Sequence, residues 1–195
     1  MPLTDFPGRQ RLIDAIDAAV QAGDDQAVVQ TLRKSLCELM RSGDVVLPQA
    51  VFHAMDGHYA RRRLHGSREH GYDVIAMTWG PGQGTPIHDH SGMWCVEGVW
   101  HGQLDITQYD VSERDGDDRA RFIPVGSMIA GTGSAGSLIP PHEYHTIRNA
   151  SDTDTAVSVH IYQRRMTRCG VFSEDQAGSG WHRREEKLLQ VDQPV

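Results

Sequence analysis

Two histidines one residue apart, His88 and His90, stand in the stretch GPGQGTPIHDHSGMWCVEGVWHGQLDI from Gly80 to Ile106. Imidazole is the commonest metal ligand. On an extended strand side chains alternate, so positions i and i+2 share a face and both rings can address one ion. With 11 His in 195 residues, random placement already yields roughly 0.6 His-x-His pairs. The pair therefore gains meaning only from other residues. IPPHEYHTIRNAS offers His142 and His145, and AVSVHIY offers Ser158, His160 and Tyr162, again at period two on one face. A distant strand can supply a third ligand if a barrel interior brings these segments together.

The elements that would position such residues fall into two textures. RQRLIDAIDAAVQAG spaces Leu12, Ile13, Ile16, Ala19 and Val20 for one helical face, with Gly23 as a stop. DDQAVVQTLRKSLCELMRSG repeats the pattern with Val28, Leu32, Leu36 and Leu39, and with Asp24 or Asp25 as cap. Cys37 in that segment reads as a packing residue. From about Tyr72 onward, short apolar runs alternate with Gly and Pro turns: YDVIAMTW, MWCVEGVW, QLDITQYDV, GSLIP, HTIRN and AVSVHIYQ. That texture predicts an all-β sandwich or barrel. SERDGDDRARF (112–122) reads as a solvated hairpin tip, and WHRREEKLL as a last short element in a polar tail. No repeat or low-complexity linker interrupts the chain. A single domain over 1–195 is expected, with N-terminal helices within 1–44.

Composition narrows the partners. A net charge of −7 argues against a nucleic-acid or anionic-membrane surface. No apolar run is long enough for a membrane span, and no basic-then-apolar leader opens the chain, so a cytoplasmic location is expected. Cys37, Cys95 and Cys169 are odd in number and widely spread, which fits a reducing compartment rather than a disulfide framework.

Gly82, His88, His90 and Gly102 match the first cupin motif: glycine, five residues, His-x-His, a short gap, an acidic position, six residues, glycine. Pro140, His145 and Asn149 match the second motif, with His142 where glycine is usual. The chain thus resembles the cupins, which implies a jelly-roll-like barrel (a double-stranded β-helix) behind the N-terminal α-helices. The motif spacing selects His145 over His142 as third ligand. At the acidic position stands Cys95, followed later by Ser158-x-His160-x-Tyr162. This combination resembles the cysteine dioxygenase family of bacterial type, in which the cysteine lies beside the tyrosine and can form a thioether with it. WGPGQGTPIHDH is similar to the family's approach to the metal, and Cys169 falls on a family cysteine position. YARRRL (59–64) resembles its Tyr-x-Arg segment, where the arginine grips the substrate carboxylate. Tyr59 and Arg61 are the counterparts, with Arg62 one position away. The resemblance spans about 58–172, the expected barrel core.

The resemblance implies one Fe(II) per chain held by His88, His90 and His145, no organic cofactor, and a small-molecule thiol and O2 as substrates. Three neutral imidazoles leave a ferrous site at charge +2, so the thiolate supplies the anionic ligand. Both atoms of O2 pass to the sulfur and give a sulfinic acid. Arg61 would bind the carboxylate by charge-assisted hydrogen bonds. His160 would orient Tyr162, with Ser158 behind it. L-Cysteine is the expected thiol.

Three other readings remain open at this point. Related thiol dioxygenases use 3-mercaptopropionate or other mercapto acids, typically with glutamine and glycine at the positions of Arg61 and Cys95. QRRMTR places Arg164, Arg165 and Arg168 where a second carboxylate could bind. A non-catalytic cupin that binds a small molecule is the second alternative. A hydrolytic zinc site is the third, for which Glu97 is the nearest acid, with an orientation that period two from Cys95 does not settle. The oligomeric state is not legible.

Overall fold

In the computed structural model, which describes residues 3–193, helix α1 spans Arg9–Val20 and helix α2 spans Asp25–Ser42. Asp24 caps α2 by accepting the Ala27 N–H at 2.9 Å, and Gly43 ends it in the left-handed conformation. The predicted stripes are the buried faces, Leu12, Ile13, Ile16 and Ala19 on α1 and Val28, Leu32, Leu36 and Leu39 on α2; Val20 is only half-buried, and Val29 is buried as well. A short 3-10 turn, Gln49–Phe52, leads into the strands.

The strands are β1 (Ala60–Gly66), β2 (Asp73–Trp79), β3 (Ile87–His88), β4 (Cys95–His101), β5 (Gln103–Asp115), β6 (Arg119–Gly131), β7 (Ala135–Leu138), β8 (Tyr144–Asn149), β9 (Ala156–Tyr162), β10 (Arg168–Glu174) and β11 (Trp181–Leu188). They form a five-stranded sheet in the order β1-β2-β9-β4-β7 and a closed barrel in the order β10-β11-β6-β5-β8-β3. Every pairing is antiparallel. The all-β core behind two N-terminal helices is the cupin arrangement.

Alternation divides the five-stranded sheet. Val74, Ala76, Val96, Val157, Val159 and Ile161 pack against the helices in one apolar cluster. Ile75, Met77, Trp79, Cys95, Val99 and Tyr162 belong to a second cluster on the opposite face. Both faces are covered, so β2 and β9 are buried along their whole length. Gly102, the last residue of the first motif, has φ of 74°. A Cβ there would also lie 3.0 Å from the Ala156 backbone, so a side chain is disfavoured twice.

The barrel runs further than the expected core of 58–172. β11 joins β10 to β6 and completes the closure up to Leu188. Its run RREEK is mostly solvent-facing, which is why it reads as a polar tail in sequence. The segment 112–122 is a hairpin tip as expected, its turn confined to 116–118 between β5 and β6.

Candidate metal centre

His88 on β3 and His145 on β8 are direct cross-strand partners. Their Nε2 atoms are 3.1 Å apart. Two nitrogens bound to one ion at about 2.1 Å and at tetrahedral or right angles stand about 3.0–3.4 Å apart. The His88 Nδ1–H donates to the Pro86 carbonyl at 3.1 Å, which leaves Nε2 with a free lone pair. His90 sits just past β3, so period two along a single strand is not what brings it in. Asp89 N–H donates to the Gly170 carbonyl and His90 N–H to the Glu143 carboxylate, and these bonds hold the backbone of both residues. The His90 ring then lies 5.4 Å from that of His88 and 5.0 Å from that of His145, centroid to centroid. Ligand atoms of all three fall within 4.8 Å of one another.

Burial keeps these rings neutral. It lowers His88 to about 4 and holds His90 and His145 well below the ordinary imidazole value; at His90 and His145 neighbouring imidazoles add to the effect. Neutral imidazole is the form that binds metal. The donor set therefore fits a divalent cation, with His88, His90 and His145 able to hold it.

The five-stranded sheet supplies the facing wall. In the β4–β9 register Cys95 lies opposite Tyr162 and Glu97 opposite His160. Ser158 Oγ is 2.8 Å from His160 Nε2 and accepts the Trp79 Nε1–H at 2.9 Å. His160 Nδ1 is 4.0 Å from Cys95 Sγ. The Tyr162 ring lies 6.0 Å from those of both His90 and His160. Burial raises the Cys95 thiol and the Tyr162 phenol well above their usual values and lowers His160 to about 3, so all three are neutral.

Adjacent arginines on β1 must face opposite sides, and the structure separates them. Arg62 turns into the helix-covered side, where its guanidinium donates to the Val51 and His53 carbonyls and to Thr78 Oγ1. Arg61 turns the other way. Its Nε and Nη1 are buried without a hydrogen-bond partner among the described residues, and its charge is felt at Cys95, His160 and Tyr162. It lines a cavity of about 260 Å³ with His58, Tyr59, Lys187, Leu189 and Asp192. Tyr59 stacks on Trp79 at 4.6 Å between centroids. The chain after β11 returns across this mouth: Asp192 N–H donates to the Arg61 carbonyl, and its carboxylate accepts the Arg61 N–H.

His142 is not part of the cluster. It is exposed, with Nδ1 3.0 Å from Asp110 Oδ1. Arg164, Arg165 and Arg168 are also exposed, and Arg168 is paired with Glu186 at 3.2 Å. Cys169 is buried at the edge of the second apolar cluster. Sequence reasoning did not place Trp79 or Glu143, and left Glu97 unoriented. Strand alternation from Cys95 was the available signal for Glu97, since i+2 returns to the same face once the strand is straight. Glu97 is buried, which pushes its carboxyl up to about 7.

Fold and imidazole triad together define a cupin with donors fit for a metal ion. The family model for cysteine dioxygenase type I matches residues 26–175, and the chain belongs to that family. Cysteine dioxygenase type 1 of Danio rerio is 27% identical over 103 residues, covering 53% of this chain and 50% of the relative. The Rattus norvegicus protein of the same name is 23% identical over 125 residues, covering 64% of this chain and 61% of the relative. The chain thus spans about half to three fifths of the length of these curated relatives. Among solved structures, an RmlC-like cupin protein from Desulfovibrio desulfuricans is similar with a TM-score of 0.41 at 21% identity, over 58% of this chain and 90% of that one. No helix among the described residues is long and apolar enough to cross a membrane.

Proposed function

We propose that the protein is an iron-dependent thiol dioxygenase that adds both atoms of O2 to the sulfur of L-cysteine and releases cysteine sulfinic acid. The reading includes one Fe(II) per chain on His88, His90 and His145, no organic cofactor, a single catalytic domain and a cytoplasmic setting. The observation that carries it is the Arg61 guanidinium, its Nε and Nη1 without a partner among the described residues, buried on the same side as the Cys95, His160 and Tyr162 wall that faces the three neutral imidazoles.

When bound, Fe(II) would supply a Lewis acid that takes a thiolate and activates O2. The chain's own residues do the rest. Arg61 offers two buried N–H groups to a carboxylate, a demand that no side chain among the described residues meets. Tyr59, held flat against Trp79, forms a rigid wall beside it. The neutral Tyr162 hydroxyl is a hydrogen-bond donor toward the substrate or its oxidised sulfur. His160 stacks beside that phenol and is braced from behind by Ser158 and Trp79. Lys187 lines the Arg61 cavity as well, which favours a mercapto-dicarboxylic acid as the second reading. Oxygen uptake by the iron-loaded protein with cysteine, 3-mercaptopropionate, mercaptosuccinate and cysteamine tests the proposal. Cysteine is expected to give the highest kcat/KM; a clear preference for an amine-free acid would overturn the substrate and leave the reaction class standing.

Cys95 and Tyr162 face one another across β4 and β9, where Cβ atoms of paired residues are about 4.5–5.5 Å apart. A thioether is expected to form in part of the protein during turnover: a C–S bond joins the sulfur to the ring carbon ortho to the hydroxyl, and two hydrogens are lost to O2. Peptide mapping should find the linked peptides two hydrogens lighter. Cys95→Ala should retain reduced, measurable activity. A dead Cys95→Ala protein with full iron would make the sulfur essential and contradict this tuning role.

A further inference from the structure

Glu97 is a buried carboxylate that the thiol reaction above does not use. It follows Cys95 by two residues on β4 and pairs in register with His160. Its Oε2 lies 3.3 Å from His160 Nδ1, and its Oε1 lies 3.8 Å from His145 Nδ1. Glu97 Oε2 and His145 Nδ1 are both buried without a hydrogen-bond partner among the described residues. A carboxylate in such a place costs stability unless it is paired. Its two oxygens stand between two rings from different walls, one a metal-ligand candidate and the other the ring behind Tyr162.

The proton positions follow from the network. With the Nε2 atoms of both His145 and His88 given to a metal, the His145 ring N–H is on Nδ1, the side of Glu97. For His160, the Trp79 N–H occupies one lone pair of Ser158 Oγ. The buried serine hydroxyl must place its own proton, and His160 Nε2 is the acceptor at 2.8 Å. The His160 N–H is therefore also on Nδ1, which faces Glu97 Oε2 at 3.3 Å and Cys95 Sγ at 4.0 Å. We infer that Glu97 is a positioning residue whose carboxylate, 3.3 Å from His160 Nδ1 and 3.8 Å from His145 Nδ1, closes onto these ring N–H groups when a metal is held and so fixes the tautomer and angle of His145 against the ring that backs Tyr162. A carboxylate behind a metal-bound histidine also raises its basicity as a ligand. This role rests on the three-histidine metal reading, not on the identity of the thiol.

The test uses Co(II) as probe, titrated into the metal-free full chain without thiol or O2 and followed by its visible absorption. Glu97→Leu should weaken Co(II) binding about 10–100-fold, the range for loss of such outer partners. Glu97→Gln, which can accept one ring N–H but not both, should fall between. The melting temperature of the metal-free Glu97→Leu protein should hold or rise, because a poorly paired buried carboxylate has been removed. A structural role would lower it instead. Glu97→Leu with unchanged Co(II) affinity, or with a lower metal-free melting temperature, would overturn the assignment. So would binding of two Co(II) per wild-type chain with one lost in both variants, since Cys95, Glu97 and His160 would then be ligands themselves. A wild-type chain that takes up no Co(II) would end the three-histidine reading and this role with it. Failure to oxidise thiols alongside the expected Co(II) pattern would remove only the proposed reaction.

Discussion

His145→Ala is expected to lose its metal and all measurable activity, while His142→Ala keeps both. The two histidines are three residues apart in one motif, but β8 turns only His145 inward, fully buried and 3.1 Å from His88 through Nε2. His142 lies outside, beside Asp110. Loss of an outer partner of a ligand already costs about 10–100-fold in affinity, so removal of the ligand itself should exceed about a hundredfold. Iron content and oxygen uptake of the two variants check this. The metal-free melting temperature of His145→Ala should be measured too, with His145→Asn as a variant that leaves a smaller void. Metal lost from His142→Ala and retained by His145→Ala would show the second motif to be misaligned by one turn position.

The second large effect separates the neighbouring arginines. Arg61→Ala should lower kcat/KM for cysteine by about ten- to a hundredfold, the equivalent of about 1.5–3 kcal/mol for one charge-assisted contact. Cysteamine, which has no carboxylate, should be poor with the wild type and little changed by the substitution. Arg62→Ala should do the reverse. Its guanidinium satisfies the buried Val51 carbonyl, the His53 carbonyl and Thr78 Oγ1. Their exposure to an empty space should cost about 1–3 kcal/mol of stability and lower the melting temperature, with the ratio of cysteine to cysteamine rates unaltered. Equal losses on both thiols from Arg61→Ala would mean that its guanidinium does not read the carboxylate.

These two residues also show where sequence stops being informative. Period two states that Arg61 and Arg62 point apart, but not which of them meets the cavity; the answer comes from the helices, which cover one face of the sheet. The helices themselves are plain in sequence because their apolar stripes recur at helical spacing over three turns or more. β11 is hidden because most of its residues face solvent and are charged, so no alternation marks it, although the barrel is open without it. His88 and His145 fit the motif spacing, and the β3–β8 pairing makes them direct partners. His90 reaches the same point by a different route from the strand alternation expected, through the bonds of Asp89 to β10 and of its own N–H to Glu143. Glu97 carries no motif of its own. Its place depends on β4 remaining regular from Cys95 to Gly98, and on a register with β9 that only the folded sheet fixes.

In the proposed function, the residues around His88, His90 and His145 direct both atoms of one O2 onto a thiol sulfur. Incubation of the iron-loaded protein with cysteine under 18O2, followed by mass spectrometry of the product, tests it most directly. A cysteine sulfinic acid carrying two 18O atoms, formed with one O2 consumed per thiol, is the expected result. A sulfinic acid with a single labelled oxygen, or cystine as the sole product, would contradict it.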